Sequence, residues 1–196
     1  MTGTLDKSAL DALFNTPRSR NAWVAETLPE QTWRDLYDLV KMPPTSMNIS
    51  PARFVFVTSA AGKARMLPHI LPFNRAKTDT APCTVIIGTD MAFFEKMPEL
   101  FPARPNAKDM FIADKEMSDV AGFRNGTLQA GYLMIAARAL GLDVGPMSGF
   151  EHPGIDAEFF AGTQIKSNFI VNLGHGTDES FPRLPRLKFE DACQIV

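Results

Sequence analysis

The segment from Lys115 to Leu140 constrains the fold most, because it is the longest helical pattern in the chain. Val120, Phe123, Leu128, Tyr132, Leu133 and Ile135 are among its apolar positions, and Gly141 supplies the stop. It reads as the central helix. Gly122, Gly126 and Gly131 inside it each cost up to about 1 kcal/mol relative to alanine, so their presence predicts close packing, within one subunit or across a dimer. Three apolar runs read as strands: Phe54 to Val57, Cys83 to Ile87 and Ile165 to Leu173. The second is apolar on both faces and is expected to be central.

Shorter helices are expected over Leu5 to Phe14, from Pro29 through Trp33, Leu36, Tyr37 and Val40, over Ala60 to Leu67, and near Ile155 to Ala161. There is no internal repeat and no low-complexity linker, so residues 1–196 read as one domain. The chain carries 20 basic and 22 acidic residues, a net charge of -2, which gives no broad electrostatic reason to bind nucleic acid. Met1 to Leu13 lacks the apolar core of a signal peptide, and Tyr132 to Leu142, the most apolar long segment, is too short and is broken by Arg138, so neither export nor a membrane is predicted. The two cysteines, Cys83 and Cys193, have no metal or redox spacing, and a cytoplasmic protein is the expectation.

Between the helices lies Pro43-Pro44-Thr45-Ser46-Met47-Asn48-Ile49-Ser50-Pro51, a loop stiffened by three prolines. Thr45, Ser46 and Asn48 offer donors and acceptors suited to a polar, planar or polyhydroxyl ligand; an ordinary helix-to-strand connection is the alternative. Phe93 to Met110 is rich in Phe, Met and Pro and reads as a segment that covers a cleft as a lid or packs on a partner subunit, or else as a long connection packed on its own domain.

The usual catalytic signatures are missing. Gly174-His175-Gly176 is not followed by the third glycine of a dinucleotide fingerprint, and Ser148 sits in Pro-Met-Ser-Gly rather than a nucleophile elbow. A hydrolase using Ser148 with His152 or His175 is therefore the weakest reading. His69, His152 and His175 are scattered without metal-ligand spacing, so no metal site is expected. What remains is a set of loops with hydroxyls, amides and cations: Arg18 to Arg20, Thr45 to Asn48, Asn74 to Lys77, Pro146 to Gly149 and Arg186 to Lys188. That inventory suits a phosphate-bearing cofactor.

With those motifs in order, the chain resembles the FMN-dependent nitroreductase family, and within it the malonic semialdehyde reductase branch associated with pyrimidine utilisation. Arg18-Ser19-Arg20-Asn21, Pro44-Thr45-Ser46-Met47-Asn48 with Ser50-Pro51, Asn74-x-x-Lys77, Gly141-Leu142 through Pro146-Met147-Ser148-Gly149-Phe150, and Leu184-Pro185-Arg186-Leu187-Lys188 carry the resemblance. It implies an α+β fold, a central mixed and mainly antiparallel sheet flanked by helices, in an intertwined homodimer with two FMN sites at the interface.

By position, the resemblance gives the FMN phosphate and ribityl region to Arg18, Ser19 and Arg20 with Arg186 and Lys188. Pro44, Thr45, Ser46 and Asn48 would line the cofactor, with Thr45, Ser46 and Asn48 coming from the other subunit. Asn74 and Lys77 would face the pyrimidine edge. Pro146, Met147, Ser148 and Gly149 would follow the ring, the backbone N–H groups of Ser148 and Gly149 pointing at N5 and O4. The flavin would carry the chemistry, taking a hydride at N5 from NADH or NADPH and passing it in a ping-pong cycle to a small acceptor. The branch implies 3-oxopropanoate going to 3-hydroxypropanoate, with Arg104 as a candidate for the substrate carboxylate. Nitro compounds or quinones are the alternative acceptors, and a flavin-binding dimer without turnover is a rival from another class. Pro17, Ser50-Pro51-Ala52 and Ser148 depart from the common pattern, and the missing large ring at Ala52 counts against a generic nitroaromatic pocket.

Overall fold

A computed structural model of the chain describes residues 3–177 and 181–196. α1 (Lys7–Leu10) is capped by the Asp6 carboxylate, which accepts from the Ala9 N–H at 2.8 Å, and it widens into a π-helical turn over Asp11–Asn15. The expected single helix over this stretch is thus two pieces, with no buried residue in either. α2 (Glu30–Val40) buries Trp33, Leu36 and Val40 and leaves Tyr37 half exposed, as its 3.6-residue period requires. β1 (Ala52–Val57) and α3 (Ala60–Met66) follow, the latter capped by the Ser59 hydroxyl.

α4 (Pro72–Asp79) starts at a proline, whose missing N–H costs nothing in a first turn. Asn74 and Lys77 therefore stand on a helix, not on the expected loop. After β2 (Cys83–Asp90) come α5 (Met97–Leu100) and α6 (Lys108–Ala113), joined by 3₁₀ turns, then α7 (Lys115–Ala139), the expected long helix at 25 residues. β3 (Asp143–Met147), α8 (His152–Phe159), β4 (Ile165–Gly174) and α9 (Phe189–Ala192) complete the order. Pro146 and Met147 thus belong to a strand, where a loop was expected; β3 lies at a sheet edge, the place in a sheet that tolerates proline.

The sheet runs β1-β2-β4-β3 with every ladder antiparallel, and among the described residues the parallel element is a single bridge between Ser19 and Val144. β2 is interior and buried along seven of its eight residues, which accounts for its apolar character on both faces. Cys83, Val85 and Ile87 face α2 and α7, packing with Leu36, Val40, Leu133 and Ala137. Ile86 and Ile170 face the opposite side, with Met66 of α3 and Ile155 of α8. Helices thus cover both faces of one sheet.

Within Phe93 to Met110 the first residues pack on the chain's own core, while Met110 stays exposed. Phe93 and Met97 are fully buried with Ile49 and Phe111, and Met47 packs against them, so this segment is folded onto its own domain beneath the proline-stiffened loop.

Candidate functional site

Three groups of the expected site residues are assembled by the fold. The first lies where α4 meets the end of β3. Asn74 is 2% exposed and its amide nitrogen donates to the Gly149 carbonyl at 3.1 Å, which ties the helix to the strand end. Leu71 N–H donates to the same carbonyl at 3.1 Å. Gly149 is required here, because a Cβ would run into the Asn74 amide and come within 2.9 Å of the Phe73 ring. One turn further along α4, the Lys77 ammonium donates to the Asn21 side chain at 3.2 Å, and burial lowers its pKa from the ordinary lysine value. Its carbonyl receives the Trp23 indole N–H at 2.9 Å and the Asn172 amide at 3.0 Å. Ser148 is exposed beside this junction, on the rim of a cavity of about 540 Å³ that Phe123, Met147, His152 and Phe169 also line.

The second group is cationic. Arg18 caps the carbonyls of Asn15, Thr16 and Pro17 at 3.2, 2.8 and 2.9 Å. Arg183 reaches from the tail to the carbonyls of Phe14, Asn15 and Pro17. The Arg183 guanidinium is pulled below the usual arginine value, first by desolvation and then by the positive charges of Arg18 and Arg186. Like charges gathered this way are relieved by an anion. Arg186 bonds the Leu184 and Pro185 carbonyls, Lys188 is exposed at the start of α9, and Ser19 is exposed beside Arg18.

Arg20 is tied into the fold by three contacts. Its Nε stands 3.1 Å from the Asp143 carboxylate, its Nη1 donates to the Thr177 carbonyl at 3.1 Å, and its backbone N–H donates to the Val144 carbonyl. Arg20 secures the loop to β3.

The third group is the loop before β1. Ser46 N–H donates to Asn125 Oδ1 at 2.8 Å, Ala52 N–H to Gln129 Oε1 at 2.9 Å, and Tyr132 Oη to the Pro44 carbonyl at 3.1 Å. Positions 125, 129 and 132 follow the helical spacing, so one stripe of α7 pins the loop along its length. Met47, Asn48 and Ser50 have φ of 50°, 55° and 38°, a cluster of strain that non-glycine residues rarely adopt and that functional loops retain. The Thr45 hydroxyl accepts from Ser50 N–H at 3.1 Å and the Asn48 amide donates to the Leu100 carbonyl at 2.8 Å, so both are partly committed to the loop itself; Ser46 and Pro44 are exposed.

Among the described residues no hydrogen bond or ion pair joins this loop to the arginine cluster or to the α4–β3 junction within one chain. Arg104, exposed ahead of a 3₁₀ turn, is likewise not bonded to the other groups. The hydrolase arrangement does not form: His152 Nδ1 pairs with Ser167 Oγ at 2.9 Å and His175 Nδ1 with Glu26 at 2.8 Å, neither with Ser148. No cluster of metal-binding side chains is found among the described residues.

Several contributors escaped the sequence reading. Asn125, Gln129 and Asn172 are buried polar residues within regular elements, and the signal available for the first two was their spacing on one helical face. Arg183 stood one turn of sequence ahead of Arg186 in a tail already marked as cationic.

A family model described as the nitroreductase family matches residues 18–175. A protein of Caulobacter vibrioides, provisionally named a NADH dehydrogenase/NAD(P)H nitroreductase, is 55% identical over 193 residues, covering 98% of each chain. One of the same name from Stenotrophomonas maltophilia is 53% identical over the whole of both chains. In structure, the chain resembles a nitroreductase-type protein of Exiguobacterium sibiricum solved with FMN, at a TM-score of 0.86 and 19% identity over 100% of this chain and 99% of that one. A Bacillus subtilis protein gives a TM-score of 0.88 at 16% identity over 97% and 100%.

Proposed function

Because the chain belongs to the nitroreductase family, we propose that it is an FMN-dependent NAD(P)H oxidoreductase whose two sites are each completed by a second copy of the chain. The α4–β3 junction carries this reading. There a buried amide, a half-buried ammonium, the exposed Ser148 and the partly buried Gly149 are held together by the Asn74–Gly149 bond, a polar set suited to the edge of a heterocycle. Arg18, Arg183 and Arg186 supply the charge for a phosphate, with Lys188 beside them. The relatives named as NAD(P)H nitroreductases and the FMN-bound structural neighbour support the same cofactors.

FMN, when bound, supplies two-electron hydride chemistry between the nicotinamide and the acceptor. The chain's own contribution is positional and electrostatic. Asn74 and the Ser148–Gly149 backbone orient the ring, and the Lys77 ammonium stabilises negative charge gathering at the pyrimidine edge. The loop from Pro44 to Asn48, pinned by α7 but joined to neither other group in its own chain, is given to the partner's site.

For the acceptor we propose 3-oxopropanoate, reduced to 3-hydroxypropanoate, which the branch resemblance supports, with Arg104 receiving the carboxylate because such a substrate needs a cation beside it. The names of the relatives favour a second reading, a nitroreductase, and a quinone is the other alternative acceptor. Anaerobic absorption spectra decide between them. The flavin band is expected to bleach with NADPH or NADH and to return on adding 3-oxopropanoate, more slowly in Arg104→Ala. Return only with a nitro compound or quinone would reassign the acceptor, and a protein that takes up no FMN would sink the proposal.

A further inference from the structure

Among the described residues, one buried charged group is not used by the proposed chemistry. Lys63 of α3 is 6% exposed, and its Nζ donates to the Thr78 carbonyl at 2.5 Å and to Thr84 Oγ1 at 2.7 Å. The Thr84 hydroxyl donates in turn to Asn172 Oδ1 at 2.7 Å, and the Asn172 amide donates to the Lys77 carbonyl at 3.0 Å. Four elements thus meet in one buried polar chain: α3, β2, β4 and the C-terminal end of α4.

The carbonyls of Lys77 and Thr78 belong to the last turn of α4, whose acceptors have no partner within the helix. A cation there is favoured by the helix dipole. Burial nonetheless makes the charge costly and pushes the Lys63 pKa down to about 8. An apolar side chain of the same length would avoid that cost, so the charge has to be explained by what it holds. What it holds is the helix that carries Asn74 and Lys77. From the other side, Thr78 Oγ1 contacts Met147 Sδ at 3.4 Å and Asn74 reaches Gly149, so the placement of α4 also sets its fit against the end of β3.

We infer that Lys63 is a positioning residue of the flavin site: through Thr78 directly, and through Thr84 and Asn172 to Lys77, it clamps the end of α4 and fixes where the Asn74 amide and the Lys77 ammonium stand. The inference rests on the reading of those two groups as flavin-facing. It predicts that removing the clamp changes the electrostatics felt by the cofactor and not only the stability of the fold.

The test is Lys63→Met, compared with wild type in two measurements. Hydrogen exchange of the amides in the last turn of α4, read without flavin, is expected to speed up about tenfold, the equivalent of one lost charge-assisted bond. The midpoint potential of bound FMN is expected to become more negative, in the same direction as is expected for Lys77→Met, and Lys63→Met is expected to add nothing further in a Lys77→Met background. An unchanged potential in a folded Lys63→Met protein reduces Lys63 to a packing role, and unchanged exchange removes the clamp whatever the flavin does. A wild-type protein without FMN uptake would instead defeat the flavin reading, while exchange still reports on the clamp. If Lys63→Met does not fold, Thr84→Val, which breaks the relay to Asn172 and keeps the bond to Thr78, is read out in the same way.

Discussion

At the scale of single residues, Lys63 and Cys83 set opposite pH dependences. The folded state lowers Lys63 from 10.5 to about 8, chiefly by burial, so between those values the unfolded chain binds a proton that the native chain has lost. Stability therefore rises with pH across that window. Burial raises the Cys83 thiol from 9.0 to about 12, so above pH 9 the unfolded chain loses a proton the native chain keeps, and stability falls. The urea midpoint is expected to climb from pH 8 to 9, to flatten where the two effects oppose each other, and to drop toward pH 12. In Lys63→Met the climb should disappear; a climb that survives would mean another group titrates there. Neither residue stood out in the sequence. Lys63 sits in Ala-Ala-Gly-Lys-Ala-Arg, a composition that reads as an exposed helix, and only the tertiary fold turns that face toward Thr84.

Among elements, α7 was the most legible and is also the most constrained. Its length and its Gly141 stop follow from local sequence, and two of its three glycines do permit close packing. A Cβ at Gly126 would stand 2.7 Å from Thr89 Oγ1, and one at Gly122 3.3 Å from the Phe93 ring, while nothing lies within 4 Å at Gly131. Gly126→Ala gains about 1 kcal/mol of helix propensity but forces apart a buried helix–strand contact, which costs roughly 1–3 kcal/mol. The expected result is a lower urea midpoint, recovered when Thr89→Ala makes room. A midpoint above wild type would mean that Thr89 turns aside freely. β3 and α4 were less legible for a physical reason. Pro146 marks β3 as a break, because a proline in a strand is tolerated only at a sheet edge, and edges are defined by the whole sheet. α4 is short and mostly polar, so its helical character comes from docking on β3 and not from an apolar stripe.

For the whole molecule, the motif order was readable, while the proposed partnership between copies is not contained in any local pattern. One chain holds the α4–β3 junction and the arginine cluster in one region and the Pro44 to Asn48 loop apart from them. It also leaves Phe123 61%, Phe181 71%, Leu184 76% and Leu187 75% exposed, on the central helix and along the tail. Large apolar side chains in such number are what an interface covers. The tail bears Arg183 and Arg186 among these residues, so covering it would also seat the cations proposed to bind the phosphate. A dimer that encloses the tail then explains three observations together: the exposed apolar residues, the gathered arginines and the displaced loop. Sedimentation of the wild-type protein is expected to give a dimer. The double substitution Leu184→Asp with Leu187→Asp, which buries two carboxylates in that contact, should shift it to monomer and weaken FMN binding at least about tenfold, since each uncompensated buried charge costs several kcal/mol. A monomeric wild type that binds FMN at full affinity would show that one chain builds the whole site, and the loop from Pro44 to Asn48 would then need another role.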